Sequence, residues 1–220
     1  MPTPVRTAVI AGATGLVGGC VLAQVIASTD YQRLILPTRR IPTLSDPRIE
    51  PRAARYDALD DVLADLRGLG SDVYCCLGTT IRKAGSQAAF RAVDFDAVLA
   101  LARWARRARA RRFLLISAMG ADAQSRVFYN RVKGEAEDAV RRDGPASVVI
   151  LRPGLLDGAR SEFRFGERLG LALTRPIRAL LPASLRPVRA EDVAASMIHA
   201  AQVEDPPAVI DSAAMHGAAR

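Results

Sequence analysis

The chain has 220 residues, 50% of them apolar and 25% charged, with 31 Lys plus Arg against 23 Asp plus Glu and a net charge of +8. So large an apolar share excludes general disorder and is ample for one core. No stretch approaches the roughly 18 unbroken apolar residues of a membrane-spanning helix, because Arg or Asp interrupts every candidate. Twenty-nine of the cations are Arg and two are Lys, Lys83 and Lys133. The Arg-rich bias runs along the whole chain, so the charge reads as composition rather than as a patch for a polyanion. The start, Met1 to Arg6, lacks the apolar core of a signal peptide. Three cysteines, Cys20, Cys75 and Cys76, make no disulfide framework. The expectation is a cytoplasmic protein with all three thiols buried as small hydrophobes.

Thr7-Ala8-Val9-Ile10 reads as a strand, followed by a glycine cluster and by Leu16, Val17, Val21, Leu22, Val25 and Ile26 at helical spacing. Leu34 to Leu36 is a second strand, and a third ends near Tyr56. A helix face follows at Leu59, Val62, Leu63 and Leu66, and Val73 to Leu77 is a fourth strand, apolar throughout as when both faces are covered. One long helix is expected from Ser86 to about Arg109, with Phe90, Val93, Ala97, Leu101 and Trp104 on its inner side. Then come a strand at Phe113 to Ile116, a helix from about Ser125 to Arg142, a strand at Val148 to Leu151, a helix from Ala190 to about Ala201 and a last strand at Ala208 to Ile210. Strands alternating with helices predict the α/β class: a doubly wound parallel sheet, Rossmann-like, in a single domain over 1–220. The segment 155–187 is expected to form a short substrate lid, with Leu155, Leu156, Phe163 and Phe165 as its apolar residues, the alternative being that these four fill core.

The cluster Gly12-Ala13-Thr14-Gly15-Leu16-Val17-Gly18 has the spacing G-x-x-G-x-x-G between the first strand and the first helix. The first glycine permits a tight turn, the second lets backbone approach a pyrophosphate, and the third lets helix pack on strand. The helix N-terminus then offers unpaired N–H groups to phosphate. The bland alternative is a tight strand-to-helix turn with no ligand.

About 20 residues past such glycines the adenosine ribose is read, and an acid there favours a free 2′-hydroxyl. This chain has Arg39 and Arg40 instead, whose guanidinium groups suit a 2′-phosphate, so NADP(H) is favoured over NAD(H). Two solvated arginines among 29 are the alternative. Asp57 either accepts from the adenine amino group or caps the next helix. Gly78, Thr79 and Thr80 end the fourth strand beside the glycine loop, where open α/β sheets bind ligands.

Lys133 stands four residues after Tyr129, which places both on one helix face. With four Tyr and two Lys in the chain, chance supplies such a pair only about 0.04 times. An ammonium lowers the pKa of a neighbouring phenol from about 10, so the tyrosine can give a proton to a carbonyl oxygen or take one back. Ser117, at the end of the fifth strand, could hold that carbonyl, or it could satisfy a loop amide. Neither His199 nor His216 neighbours a nucleophile motif, and no Cys/His cluster has zinc spacing.

With Gly12, Gly15 and Gly18 followed in order by Ser117, Tyr129 and Lys133, the chain resembles the short-chain dehydrogenase/reductase superfamily. More closely it is similar to the atypical NAD(P)H-binding group that includes the Tat-interacting oxidoreductase-like protein and its bacterial relatives. The closer match is carried by Gly12 to Gly19, Leu77 to Ser86 and Phe113 to Glu137, and Arg152-Pro153-Gly154 and Asp192-Val193-Ala194 fit the superfamily. The resemblance implies a cofactor site that includes Thr14, Leu16, Val17 and Pro153 with the residues above, Tyr129 as acid/base, Lys133 on the nicotinamide ribose, and Ser117 assisting. It departs at Ala118, where relatives often carry a second serine.

The expected function is NADP(H)-dependent hydride transfer to or from a small carbonyl or hydroxyl compound. The alternative is an NADPH-binding sensor or regulatory protein without turnover. Nucleic-acid binding through Arg103, Arg106, Arg107, Arg109, Arg111 and Arg112 is disfavoured, because Trp104 is the one aromatic interleaved with them. No membrane partner is expected, and a homo-oligomer or a regulatory protein partner stays open.

Overall fold

The computed structural model describes residues 6–39, 46–55, 58–66, 70–157 and 186–219. Arg40, Tyr56, Asp57, Phe163, Phe165 and nearly all of the expected lid lie outside these residues.

In chain order the elements are β1 (Thr7–Ala11), α1 (Leu16–Ala27), β2 (Arg33–Thr38), β3 (Ile49–Ala53), α2 (Leu59–Val62) with a 3-10 turn at Ala64–Leu66, and β4 (Asp72–Cys75). Next are α3 (Ile81–Ala84), α4 (Gln87–Arg91), a π-helical turn (Ala92–Asp96), α5 (Ala97–Arg107), β5 (Arg112–Ile116), α6 (Phe128–Asp143) and β6 (Val148–Arg152). The chain ends with β7 (Leu156–Asp157), β8 (Val188–Arg189), α7 (Ala190–Gln202), β9 (Val209–Asp211) and α8 (Ser212–Met215).

Seven strands pair in the order β3-β2-β1-β4-β5-β6-β9, every pair parallel, and β7 pairs with β8 in a small separate sheet. This is the expected doubly wound, Rossmann-like sheet in a single domain. Alternate strand residues feed opposite cores. Ala8, Ile10, Leu34, Leu36 and Leu114 pack with α1 and α7, while Val9, Ile35, Val73, Phe113 and Leu115 pack with α2 and α5. Strand order reverses between β1 and β4, so the ligand crevice of such a sheet opens at the carboxyl ends of those strands.

Three expectations change. The long helix from Ser86 begins where predicted, with Ser86 Oγ accepting from the Ala89 amide at 3.1 Å, but a π turn interrupts it. That wider turn rotates the inner face, so Asp94 is buried and Val93 is only half-buried. The helix expected from Ser125 starts at Phe128, because Ser125 Oγ is taken by the Val127 amide in the preceding turn. Of the cysteines Cys75 alone is fully buried; Cys20 and Cys76 are half-buried against the α1 side of the sheet, and all three are free thiols.

Candidate active site

The glycine loop is built by backbone crowding. Gly12 sits at φ +84°, and a Cβ there would lie 2.4 Å from the carbonyl oxygen of Cys76; a Cβ on Gly18 would lie 2.1 Å from the carbonyl oxygen of Gly12. Any larger residue at either place would push α1 away from β1 and β4. Gly15 caps α1 without a side-chain bond, and the first turn holds no acid. The amides of Leu16, Val17 and Gly18 precede the first i→i−4 bond, from Gly19 to Gly15, so they remain available to an anion. Thr14 and Gly15 are exposed beside them. A cradle closed to side chains and open to phosphate fits a dinucleotide.

The remaining residues line the same edge. Arg39 is exposed just past β2. Past β4, Gly78 is exposed and Thr79 is half-buried, while Thr80 Oγ1 caps α3 by accepting from the Lys83 amide at 3.1 Å. Pro153, just past β6, is buried, and its carbonyl accepts from the Met119 amide at 2.9 Å, which fastens the β5 exit to the β6 exit. Ile81, Met119 and Val127 are large apolar side chains left exposed on the segments that leave β4 and β5.

Tyr129 and Lys133 lie one turn apart on α6. Tyr129 is half-buried with its ring 5.6 Å from that of Phe90, and Lys133 is buried. The Lys133 ammonium is 2.8 Å from Oδ1 of Asp94, and Oδ2 of Asp94 accepts from the Thr79 amide at 2.9 Å. Burial pulls the lysine toward its neutral form, but the Asp94 carboxylate and the Tyr129 phenol outweigh it and raise its pKa above the ordinary value. The site therefore holds a charged, desolvated ammonium next to a phenol.

Ser117 is not gathered into this group through its hydroxyl. Its Oγ donates to Oε1 of buried Glu137 at 2.5 Å, and Glu137 also takes Arg152 through Nε at 3.0 Å and Nη2 at 2.6 Å. Sequence reasoning missed both buried acids. Asp94 could have been found, since Phe90, Asp94, Ala97 and Leu101 form as regular a helical stripe as the one through Val93; preference for an apolar residue hid it.

A family model described as NAD(P)H-binding matches residues 12–203. The chain belongs to this NAD(P)H-binding family. Among relatives, the mitochondrial protein fmp52 of Emericella nidulans is 35% identical over 161 residues, covering 71% of this chain and 69% of that one. FMP52 of Candida albicans is 32% identical over 88% of this chain and 86% of its own. The protein HTATIP2 of Rattus norvegicus is 34% identical over 74% of this chain and 68% of its own. Among solved structures, a short-chain dehydrogenase from Streptomyces avermitilis superposes with a TM-score of 0.65 at 19% identity, covering 96% of this chain and 88% of that one. MoeE5 in complex with UDP-glucuronic acid and NAD superposes with a TM-score of 0.67 at 18% identity, covering 93% and 74%. At those identities the structures show a shared fold alone. Among the described residues no helix is long and apolar enough to cross a membrane.

Proposed function

We propose that this chain is an NADP(H)-dependent oxidoreductase acting on a small carbonyl or hydroxyl compound, with Tyr129 as the acid/base. The observation that carries the reading is the pairing of Tyr129 with a buried, charged Lys133 on the edge of the sheet that the glycine loop shares. Gly12 to Gly18 would hold the pyrophosphate, Arg39 the 2′-phosphate, and Lys133 with Gly78 to Thr80 the nicotinamide half. When bound, the reduced nicotinamide supplies hydride. Tyr129 would give its phenolic proton to the substrate oxygen as the carbonyl carbon is reduced, and the Lys133 ammonium would stabilise the phenolate until solvent restores the proton. In the reverse direction Tyr129 would accept the alcohol's proton. Exposed Ile81, Met119 and Val127 support a substrate with an apolar body. A cytoplasmic, reducing setting fits three free thiols.

The test is NADPH oxidation across a panel of aldehydes and ketones. Tyr129→Phe should lower kcat by about a thousandfold while leaving NADPH affinity within a few-fold. Arg39→Ala should shrink the preference for NADPH over NADH by about tenfold. Turnover that survives Tyr129→Phe removes the mechanism.

One observation favours a second reading, a cofactor-binding regulator without turnover: the Ser117 hydroxyl is held by Glu137, and the next residue, Ala118, offers none. Tight NADPH binding, no oxidation with any panel member and a partner affinity that follows cofactor state would select it.

A further inference from the structure

Asp94 is the buried acid of the site, and its surroundings are specific. It occupies the π turn between α4 and α5, a wider turn of the kind that occurs often at functional positions. Its side chain is fully buried, and its two oxygens face different elements: Oδ1 meets the ammonium of Lys133 on α6, and Oδ2 takes the backbone N–H of Thr79 on the loop leaving β4. Gly78 lies over this pair. A Cβ there would be 3.5 Å from Oδ1 of Asp94 and 3.8 Å from Nζ of Lys133, and Gly78 itself is exposed. Gly78 thus covers the ion pair with backbone alone.

We propose that Asp94 is a positioning residue of the cofactor site: one carboxylate oxygen holds Lys133 and the other holds the Gly78–Thr79 loop, so that the lysine and the loop are set together for the nicotinamide half of the dinucleotide. This rests on the proposed reading of Lys133 and that loop as cofactor contacts. Buried without its acid, the ammonium would lose its counter-charge; the other groups acting on it are the phenol of Tyr129, on its own helix, and the thiol of Cys75 on β4. Burial raises the pKa of that thiol and keeps it neutral, so the carboxylate in contact with the lysine is that of Asp94. Asp94 therefore supplies the counter-charge of the Lys133 ammonium at 2.8 Å. An asparagine in its place has one acceptor oxygen, which cannot serve Lys133 and Thr79 together as the two carboxylate oxygens do.

The experiment is a fluorescence titration of NADPH into the full chain as wild type, Asp94→Asn, Lys133→Met and the double variant, with thermal melting of each in the absence of cofactor. Asp94→Asn should weaken NADPH binding by about tenfold or more, and on the Lys133→Met background the same change should cost less than about threefold, because the acid acts largely through the lysine. A merely structural role would lower the melting temperature and leave the affinity of the folded protein unchanged, which overturns the proposal. If Asp94→Asn alone does not fold, the double variant, which carries no unpaired buried charge, is compared with Lys133→Met; a tenfold gap between those two also overturns it. Wild type that binds NADPH without reducing any carbonyl removes the catalytic reading and leaves this test standing. Wild type that binds neither NADPH nor NADH overturns both.

Discussion

The carboxylate of Glu137 collects Ser117, Arg152 and Arg141, the last at 3.2 Å, while remaining buried. A buried acid is tolerable when paired and hydrogen-bonded, and costly when one partner is removed. Ser117 is thereby tied to α6 rather than free to receive a substrate. Ser117→Ala should cost about 1–3 kcal/mol of stability, read by urea denaturation, and should change kcat/KM by less than about tenfold. A larger kinetic loss at unchanged stability would restore the serine to the chemistry. The strand-end position of Ser117 was visible in the sequence, but the direction of its hydroxyl depends on Glu137, 20 residues on.

At the scale of elements, α6 is placed by a contact that admits no side chain. A Cβ on Gly134 would lie 2.2 Å from the amide nitrogen of Ala123 and 2.2 Å from the carbonyl carbon of Asp122, both backbone atoms of the loop from β5. The same loop bonds to α6 through the Asp122 amide and the Asn130 carbonyl at 3.1 Å. Gly134 adjoins Lys133, so the fit that seats the helix also seats the ammonium. Gly134→Ala should destabilise the chain by about 1–3 kcal/mol and lower kcat through displacement of Tyr129, seen as a lower melting temperature with a loss of NADPH oxidation. An unchanged melting temperature would show that the loop yields freely. At the break between α2 and the 3-10 turn, Trp104 Nε1 donates to the Leu63 carbonyl at 3.0 Å, binding α5 to that point.

At the scale of the whole molecule, many of the described arginines hold the fold together. Arg6 and Arg111 pair with buried Asp72, Arg103 with Asp143 and Arg107 with Asp60, while Arg112 donates to the carbonyls of Ala200, Val203 and Glu204 at the end of α7. Arg106 also donates to the carbonyl of Arg142 at 3.5 Å, so five of the six arginines in the run from 103 to 112 are held by partners inside the fold, which weakens the polyanion reading. The sheet interior also holds weak acids in neutral form. Burial pushes the thiol of Cys75 up to about 12 and raises Cys76, Tyr31 and Tyr74 as well. Groups with raised folded-state values favour the folded chain below their unfolded values, and that stability is lost as pH rises through the folded ones. Urea midpoints should therefore hold near pH 7.5 and fall progressively from about pH 8.5, the free-thiol value, through the phenol value near 10. Midpoints flat to pH 11 would contradict it.

By itself the sequence determined the order of strands and helices, the parallel sheet, the glycine loop and the Tyr129–Lys133 pair, because each rests on spacing within a few residues. Tertiary structure decided what no local pattern contains. It chose Asp94 over Val93 for the inner face of the long helix by widening one turn, and turned Ser117 toward Glu137. The physical reason is common to both: a buried charge or hydroxyl goes where its partner is, and here the partners are Lys133 and Glu137, brought near by the packing of α6 rather than by the chain's own neighbourhood.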